Sequence, residues 1–79
     1  MEKTTHEIVQ EIINLQLARE VGNKIPLKSN LSSDLNADSL DAVEIIMEIE
    51  DALDLEIPDE IAEKIETFED ILEYLDEVL

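Results

Sequence analysis

Apolar residues recur every three or four positions over most of this chain, and the rhythm fails in one stretch near the middle. Ile8, Ile12 and Leu15 fall on one side of a first segment, and Val9, Ile13 and Leu17 widen the stripe, which predicts a helix from about Thr5 to Arg19 or Val21. Thr4 and Glu7 have the spacing of a capping box at its start, and Gly22-Asn23 supplies a stop. From Gly22 to Asp38 turn formers take over, among them Pro26, Ser29, Asn30, Ser32, Ser33 and Asn36. Leu27, Leu31 and Leu35 are too apolar for a free tether and are expected to pin this loop to the domain. A loop this long in a small protein is uncommon and often functional. A second helix is predicted from Ser39 to about Leu53, with Asp38 as N-cap and Asp41 in the first turn. Ile57-Pro58-Asp59 interrupts the chain and restarts a short third helix to about Ile65. Thr67, with Asp70 three residues on, opens a fourth whose stripe is Phe68, Ile71, Leu72, Leu75 and Val78. The expected fold is all-α, a four-helix bundle of three principal helices plus one short helix, with a long loop between the first and second.

The second helix carries more apolar surface than one core contact needs. At about 100° per residue, Ile45, Ile46, Ile49 and Leu53, with Ala42 and Ala52, gather on one face, while Leu40, Val43 and Met47 gather on the opposite one. Glu44, Glu50, Asp51 and Asp54 share that outer side. Single exposed apolar residues need no explanation. Three on one stripe set among acids read instead as a docking surface, in which the apolar groups supply contact area and the acids pair with a partner's Lys and Arg.

Composition sharpens this. The 79 residues allow one domain, spanning 1–79, and 22 acids against five Lys and Arg give a formal net charge of −17. Phosphate-rich partners are disfavoured, so nucleic acid and insertion into an anionic membrane are not expected, whereas a basic protein surface is attracted. From Ser29 through Glu63 there is no Lys or Arg at all. Disorder is opposed by the 44% hydrophobic content and its periodicity. No run of about 18 apolar residues occurs, and the polar opening Met1–His6 does not read as a signal peptide. A cytoplasmic monomer is the expectation. The chain has no cysteine, so thioester chemistry requires a thiol brought in from outside.

Ser39 stands where the loop meets a helix N-terminus, a place whose free amide hydrogens and dipole favour an anion. The ordinary role of a serine beside Asp38 is to share in a cap, and spacing alone leaves both roles open. The surrounding segment Leu35-Asn36-Ala37-Asp38-Ser39-Leu40-Asp41 resembles the phosphopantetheine attachment motif of acyl carrier proteins. The likeness continues through Val43-Glu44-Ile45-Ile46-Met47, Glu56-Ile57-Pro58-Asp59-Glu60, Ala62-Glu63-Lys64-Ile65 and the last helix with Tyr74. It covers nearly the whole chain. The Asp-Ser-Leu core is a weak signal by itself and a strong one together with the Ile-Pro-Asp-Glu segment and the acidic helix between them.

The resemblance implies that Ser39 attacks the pyrophosphate of coenzyme A and receives a covalent 4′-phosphopantetheine arm. A separate transferase catalyses that step, with Asp38 helping to hold metal and cofactor. The arm ends in the missing thiol and carries acyl intermediates of fatty acid synthesis as thioesters. The chain itself is then a non-catalytic carrier with no specific metal site of its own. Leu40, Asp41, Val43, Glu44, Met47, Glu50 and Asp51 correspond to the partner-recognition helix, which meets basic surfaces of the phosphopantetheinyl transferase and of fatty acid synthesis enzymes. The acyl chain tucks into the bundle, where Ile46, Ile57 and Ile65 are the candidates for its lining. One departure stands at Asn36, where the family usually has glycine. Asparagine tolerates positive φ better than most residues, so a similar turn is accessible.

Other readings fit less well. An enzyme would need more than His6, which falls in the N-terminal tail region and reads as a solvated end residue, and no Gly-x-Ser-x-Gly elbow surrounds Ser39. Asp34-x-Asn36-x-Asp38 imitates the start of a calcium loop, but the sixth position is Ser39 rather than glycine and the twelfth is Ile45 rather than glutamate. A carrier for a specialised acyl or polyketide pathway, or an unmodified acidic adaptor, would present the same outer stripe.

Overall fold

The computed structural model describes residues 3–20 and 22–79 of the chain. Among the described residues four helices follow one another: α1 (Thr5–Gln16), α2 (Ser39–Leu53), α3 (Asp59–Ala62) and α4 (Phe68–Val78). The three long ones each open with a reciprocal capping box, in which Thr4, Asp38 and Thr67 accept from the backbone N–H three residues on, and Glu7, Asp41 and Asp70 reach back. Each such cap is worth about 1 kcal/mol, a substantial fraction of the stability of so short a chain.

α1 ends earlier than its apolar rhythm suggests, at Gln16 rather than Arg19, and Val21 lies outside the described residues. The cause is a left-handed turn at Ala18, φ 55°. The Ala18 N–H donates to the Leu15 carbonyl and the Arg19 N–H to the Asn14 carbonyl at 2.7 Å, the paired bonds of a Schellman motif. The buried Asn14 side chain fixes the chain beyond it, donating to the Asn23 carbonyl at 2.9 Å and accepting from Arg19 Nε at 3.2 Å. Gly22, φ 83°, therefore shapes the loop and does not stop the helix. α3 is likewise short, because Lys64 and Ile65 bond back three residues, to Ile61 and Ala62, in the tighter 3₁₀ manner.

The core joins Val9, Ile12 and Ile13 of α1 to Ile45 and Ile49 of α2 and to Phe68, Ile71 and Leu75 of α4, with Ile57 closing one side. The long loop contributes Ile25, Leu31, Leu35 and Ala37. Leu31 and Leu35 pin it as expected, but Leu27 is exposed, and Ile25 is the buried anchor nearer α1. Main-chain bonds hold the loop as well. Asn30 and Thr67 form an isolated antiparallel bridge, with Leu31 N–H donating to the Glu66 carbonyl and Phe68 N–H to that of Ser29. Lys28 pairs with Glu69 at 2.8 Å, and that hydrogen bond and charge raise the lysine's pKa above its ordinary value.

Three apolar positions on the expected core stripes are exposed. Leu15 is 70% exposed because it stands about 60° beyond Ile12 on a helix that buries only a narrow stripe. Val78 lies in the last turn of α4, past the core, and Ala52 sits on the open flank of α2; both are exposed. Leu72 is half-buried against the core, as are Ile8, Leu17, Ile46 and Leu53. His6 is exposed, as expected of an end residue, in the first turn of α1, and its ring meets Phe68 edge to face at 5.1 Å and 87°.

Candidate functional site

The loop is drawn tight just before Ser39. Asn36 adopts the left-handed conformation, φ 59°, that asparagine tolerates, and the buried Ala37 donates its N–H to the Leu31 carbonyl at 2.8 Å. Asp38 is extended, and its carboxylate accepts the Asp41 N–H at 2.8 Å while Asp41 accepts the Asp38 N–H at 3.2 Å. These two acids complete the cap between them. Ser39, the first residue of α2, is exposed and stands outside that reciprocal pair. The ordinary role open to it from sequence, supplying the cap, is thus taken by its neighbour.

Ser39 lines a cleft of about 390 Å³. Leu31, Ala37, Ala42 and Ile65 give it apolar walls, and Asn30, Ser32, Asp38 and Glu66 give it polar ones. Asn30 is held in place by its own turn, its Oδ1 accepting from the backbone of Ser32 and Ser33. An exposed hydroxyl at a helix N-terminus, opening on a cleft of mixed polarity, fits an anionic ester that continues into a flexible amide chain. Sequence did not single out Asn30, Ser32 and Glu66 as site residues. Asn30 and Ser32 were legible as turn formers only, and Glu66 reaches the cleft through the bridge at Thr67, which leaves no mark in a linear pattern.

The outer stripe of α2 is where the wheel places it. Leu40, Val43 and Met47 are 64%, 54% and 58% exposed, and Ile45 and Ile49 on the opposite face are fully buried. Glu44 and Asp51 are exposed beside the stripe. Two of the nominated acids accept backbone N–H groups within the chain. Asp41 belongs to the cap, and Glu50 accepts the Ile57 N–H at 2.7 Å, which ties the end of α2 to the turn before α3. Gln16 of α1 donates to both Asp41 and Glu44, bridging the two helices beside the site.

Two of the three candidate pocket residues line different clefts. Ile65 lines the cleft at Ser39, and the buried Ile57 lines a separate acidic one, about 630 Å³, formed by Glu50, Asp51, Asp54, Glu56 and their neighbours. Ile46 is half-buried against the core and lines neither. The calcium-loop imitation dissolves into local bonds, since Asp34 accepts the Asn30 N–H at 2.7 Å and Asp38 caps α2. Among the described residues no group of three or more His, Cys, Asp or Glu is arranged to hold a metal ion, and no helix is long and apolar enough to cross a membrane.

A family model described as a phosphopantetheine attachment site matches residues 6–75. Among solved structures, the chain is similar to a protein from Mycobacterium tuberculosis put forward as an acyl carrier protein. The two superpose with a TM-score of 0.88 at 26% identity, over 96% of this chain and 100% of the other.

Proposed function

This chain belongs to the family that bears the phosphopantetheine attachment site, and from that premise we propose that it carries acyl intermediates of fatty acid synthesis as thioesters on an arm esterified to Ser39. The domain is a site of covalent 4′-phosphopantetheine attachment and has the all-α fold of an acyl carrier. The observation that carries the assignment to Ser39 is its place: an exposed residue at the N-terminus of α2, outside the cap made by Asp38 and Asp41, lining the cleft. In the loading step the Ser39 oxygen forms a bond to the pantetheine-side phosphorus of coenzyme A. The phosphoanhydride breaks, adenosine 3′,5′-bisphosphate leaves, and the serine proton passes to a base on the transferase. This chain's own groups position the hydroxyl; the catalytic groups belong to the transferase, and the arm supplies the thiol that the sequence lacks.

The whole span 1–79 serves as one carrier domain. Its Cα radius of gyration, 11.5 Å, is that of a single compact unit of this length, about 12 Å. Partners are basic surfaces on the transferase and on fatty acid synthesis enzymes, which meet Leu40, Val43, Glu44, Met47 and Asp51 in the segment that holds no Lys or Arg. The setting is the cytoplasm. The pathway is tested by giving the arm-bearing protein to the malonyl transferase and condensing enzyme of a fatty acid pathway and, separately, to those of a polyketide pathway. Chain growth by the fatty acid enzymes, with the acyl group cleaved from the arm by hydroxylamine as its hydroxamate and the arm's thiol left free, is the expected result. Growth by the polyketide enzymes alone would reassign the carrier.

A further inference from the structure

The cleft lined by Ser39 has walls of mixed character. Leu31, Ala42 and Ile65 are apolar, and Asn30, Ser32 and Glu66 bring polar groups to the same opening. Local bonds fix the backbone that presents those polar groups. Asn30 Oδ1 accepts from the Ser32 and Ser33 N–H groups and from the Ser32 hydroxyl. The Leu31 N–H donates to the Glu66 carbonyl at 2.9 Å, which ties the loop to the residue after Ile65. Among the described residues no partner takes the Asn30 Nδ2 hydrogens or the Glu66 carboxylate. The cleft thus offers an unused donor and an unused acceptor alongside apolar surface. Its volume, about 390 Å³, falls within the range of about 300–1,000 Å³ that small-molecule sites occupy.

We infer that this cleft seats the phosphate-proximal half of the chain's own phosphopantetheine arm, with Asn30 and Glu66 as its polar contacts. This rests on the carrier reading above. Beyond its phosphate the arm carries two geminal methyl groups, then a hydroxyl, then an amide, so apolar and polar groups alternate along it as they do in the walls. The methyl groups pack on Leu31, Ala42 and Ile65. Asn30 Nδ2 donates to the amide carbonyl, and the Glu66 carboxylate accepts from the hydroxyl or the amide N–H. A purely hydrocarbon occupant would strip water from Asn30 and Glu66 without replacing its hydrogen bonds. A second anion would meet the carboxylates of Asp38 and Glu66. The neutral amide stretch avoids both penalties. The ester at Ser39 makes the contact intramolecular, at an effective concentration of about millimolar, so weak bonds suffice to hold the arm.

The test uses the full chain, isotope-labelled and bearing an unlabelled arm, beside the same chain without the arm. Isotope-filtered nuclear Overhauser spectra should show contacts from the arm's geminal methyl groups to the methyl groups of Ala42 and Ile65. The Asn30 side-chain amide resonances should shift when the arm is added. Glu66→Ala should weaken the contacts about two- to fivefold, the loss of one solvent-exposed hydrogen bond, with the thermal midpoint unchanged. Glu66→Gln keeps an acceptor without the charge and should retain them. Asp76→Ala, which removes an exposed acid near the far end of α4, should change nothing. Arm methyl groups without contact to Ala42 or Ile65 would overturn the inference, as would contacts equally strong in Glu66→Ala and wild type, or an equal loss in Glu66→Gln and Glu66→Ala. If the wild type gains no mass from coenzyme A and a phosphopantetheinyl transferase, the carrier reading fails first, and that outcome is distinct from an arm-bearing protein whose arm touches nothing.

Discussion

Ile49 and Met47 stand two residues apart on α2 and face opposite ways, Ile49 fully buried and Met47 58% exposed. Truncating each to alanine separates the two jobs of this helix. Ile49→Ala removes three carbons from the centre of the core, for a lost transfer free energy of about 2.4 kcal/mol. A partly relaxed cavity of about 40 Å³ adds about 1 kcal/mol. The sum, about 3–4 kcal/mol, is large beside the total stability of about 4–12 kcal/mol typical of 79 residues. At about 4–8 °C per kcal/mol for a domain of this size, the melting point should fall by at least about 12 °C. Met47→Ala removes a side chain that already sits mostly in water, so the change should stay within about 0.5 kcal/mol. Urea unfolding at pH 7, followed by far-ultraviolet circular dichroism, gives both numbers, with an unchanged slope confirming that the unfolded states are comparable. If the two variants lost stability within about 1 kcal/mol of each other, the separation of an inner from an outer face would be refuted.

Ala18→Gly should stabilise the protein, because left-handed backbone costs a residue with a Cβ about 1–2 kcal/mol while glycine's extra unfolded-state freedom offsets about 0.4–1 kcal/mol of that. A thermal melt should rise by a few degrees, and a fall would mean that α1 does not end in the left-handed turn at Ala18. Asp70 accepts the N–H groups of Glu66 and Thr67, and these bonds hold its carboxyl below the ordinary carboxylate pKa. A depressed folded-state value contributes stability that is present above the unfolded pKa of about 3.9 and is lost as pH falls through the folded value. Asp70→Ala leaves the Glu66 and Thr67 N–H groups without their acceptor and should be about 0.5–1 kcal/mol less stable than wild type at pH 7, the value of solvent-screened hydrogen bonds. The gap should narrow only below about pH 4; a gap constant down to pH 2 would contradict the linkage.

The parts of this fold that are legible in the sequence are those decided by residues at fixed short offsets. Thr4 with Glu7, Asp38 with Asp41 and Thr67 with Asp70 announce their helices because a capping box needs only a side chain three residues from its backbone partner. The two faces of α2 are legible for the same reason, since periodicity alone separates Ile45 and Ile49 from Leu40, Val43 and Met47. The end of α1 is not. Its stop is made by an alanine where glycine is the usual sign, and the apolar rhythm runs through Leu17 without interruption. The docked loop is half-legible. Leu31 and Leu35 show that it must be covered, but the bridge from Asn30 to Thr67 depends on a strand-like pairing between segments far apart in the chain. The cleft at Ser39 shares that origin, with Ile65 and Glu66 brought to it by the same pairing. Glu50 looks like any other surface acid until the turn before α3 presents the Ile57 N–H to it.

The most direct test of the carrier assignment is the intact mass of two proteins, the wild type and Ser39→Ala, each incubated with coenzyme A and a phosphopantetheinyl transferase. The wild type should gain about 340 Da, the mass of one phosphopantetheinyl group, together with one thiol that titrates. Ser39→Ala, folded to the same helical content, should gain neither. An equal gain in the alanine variant would place the arm on another residue, and no gain in the wild type would remove the carrier function itself.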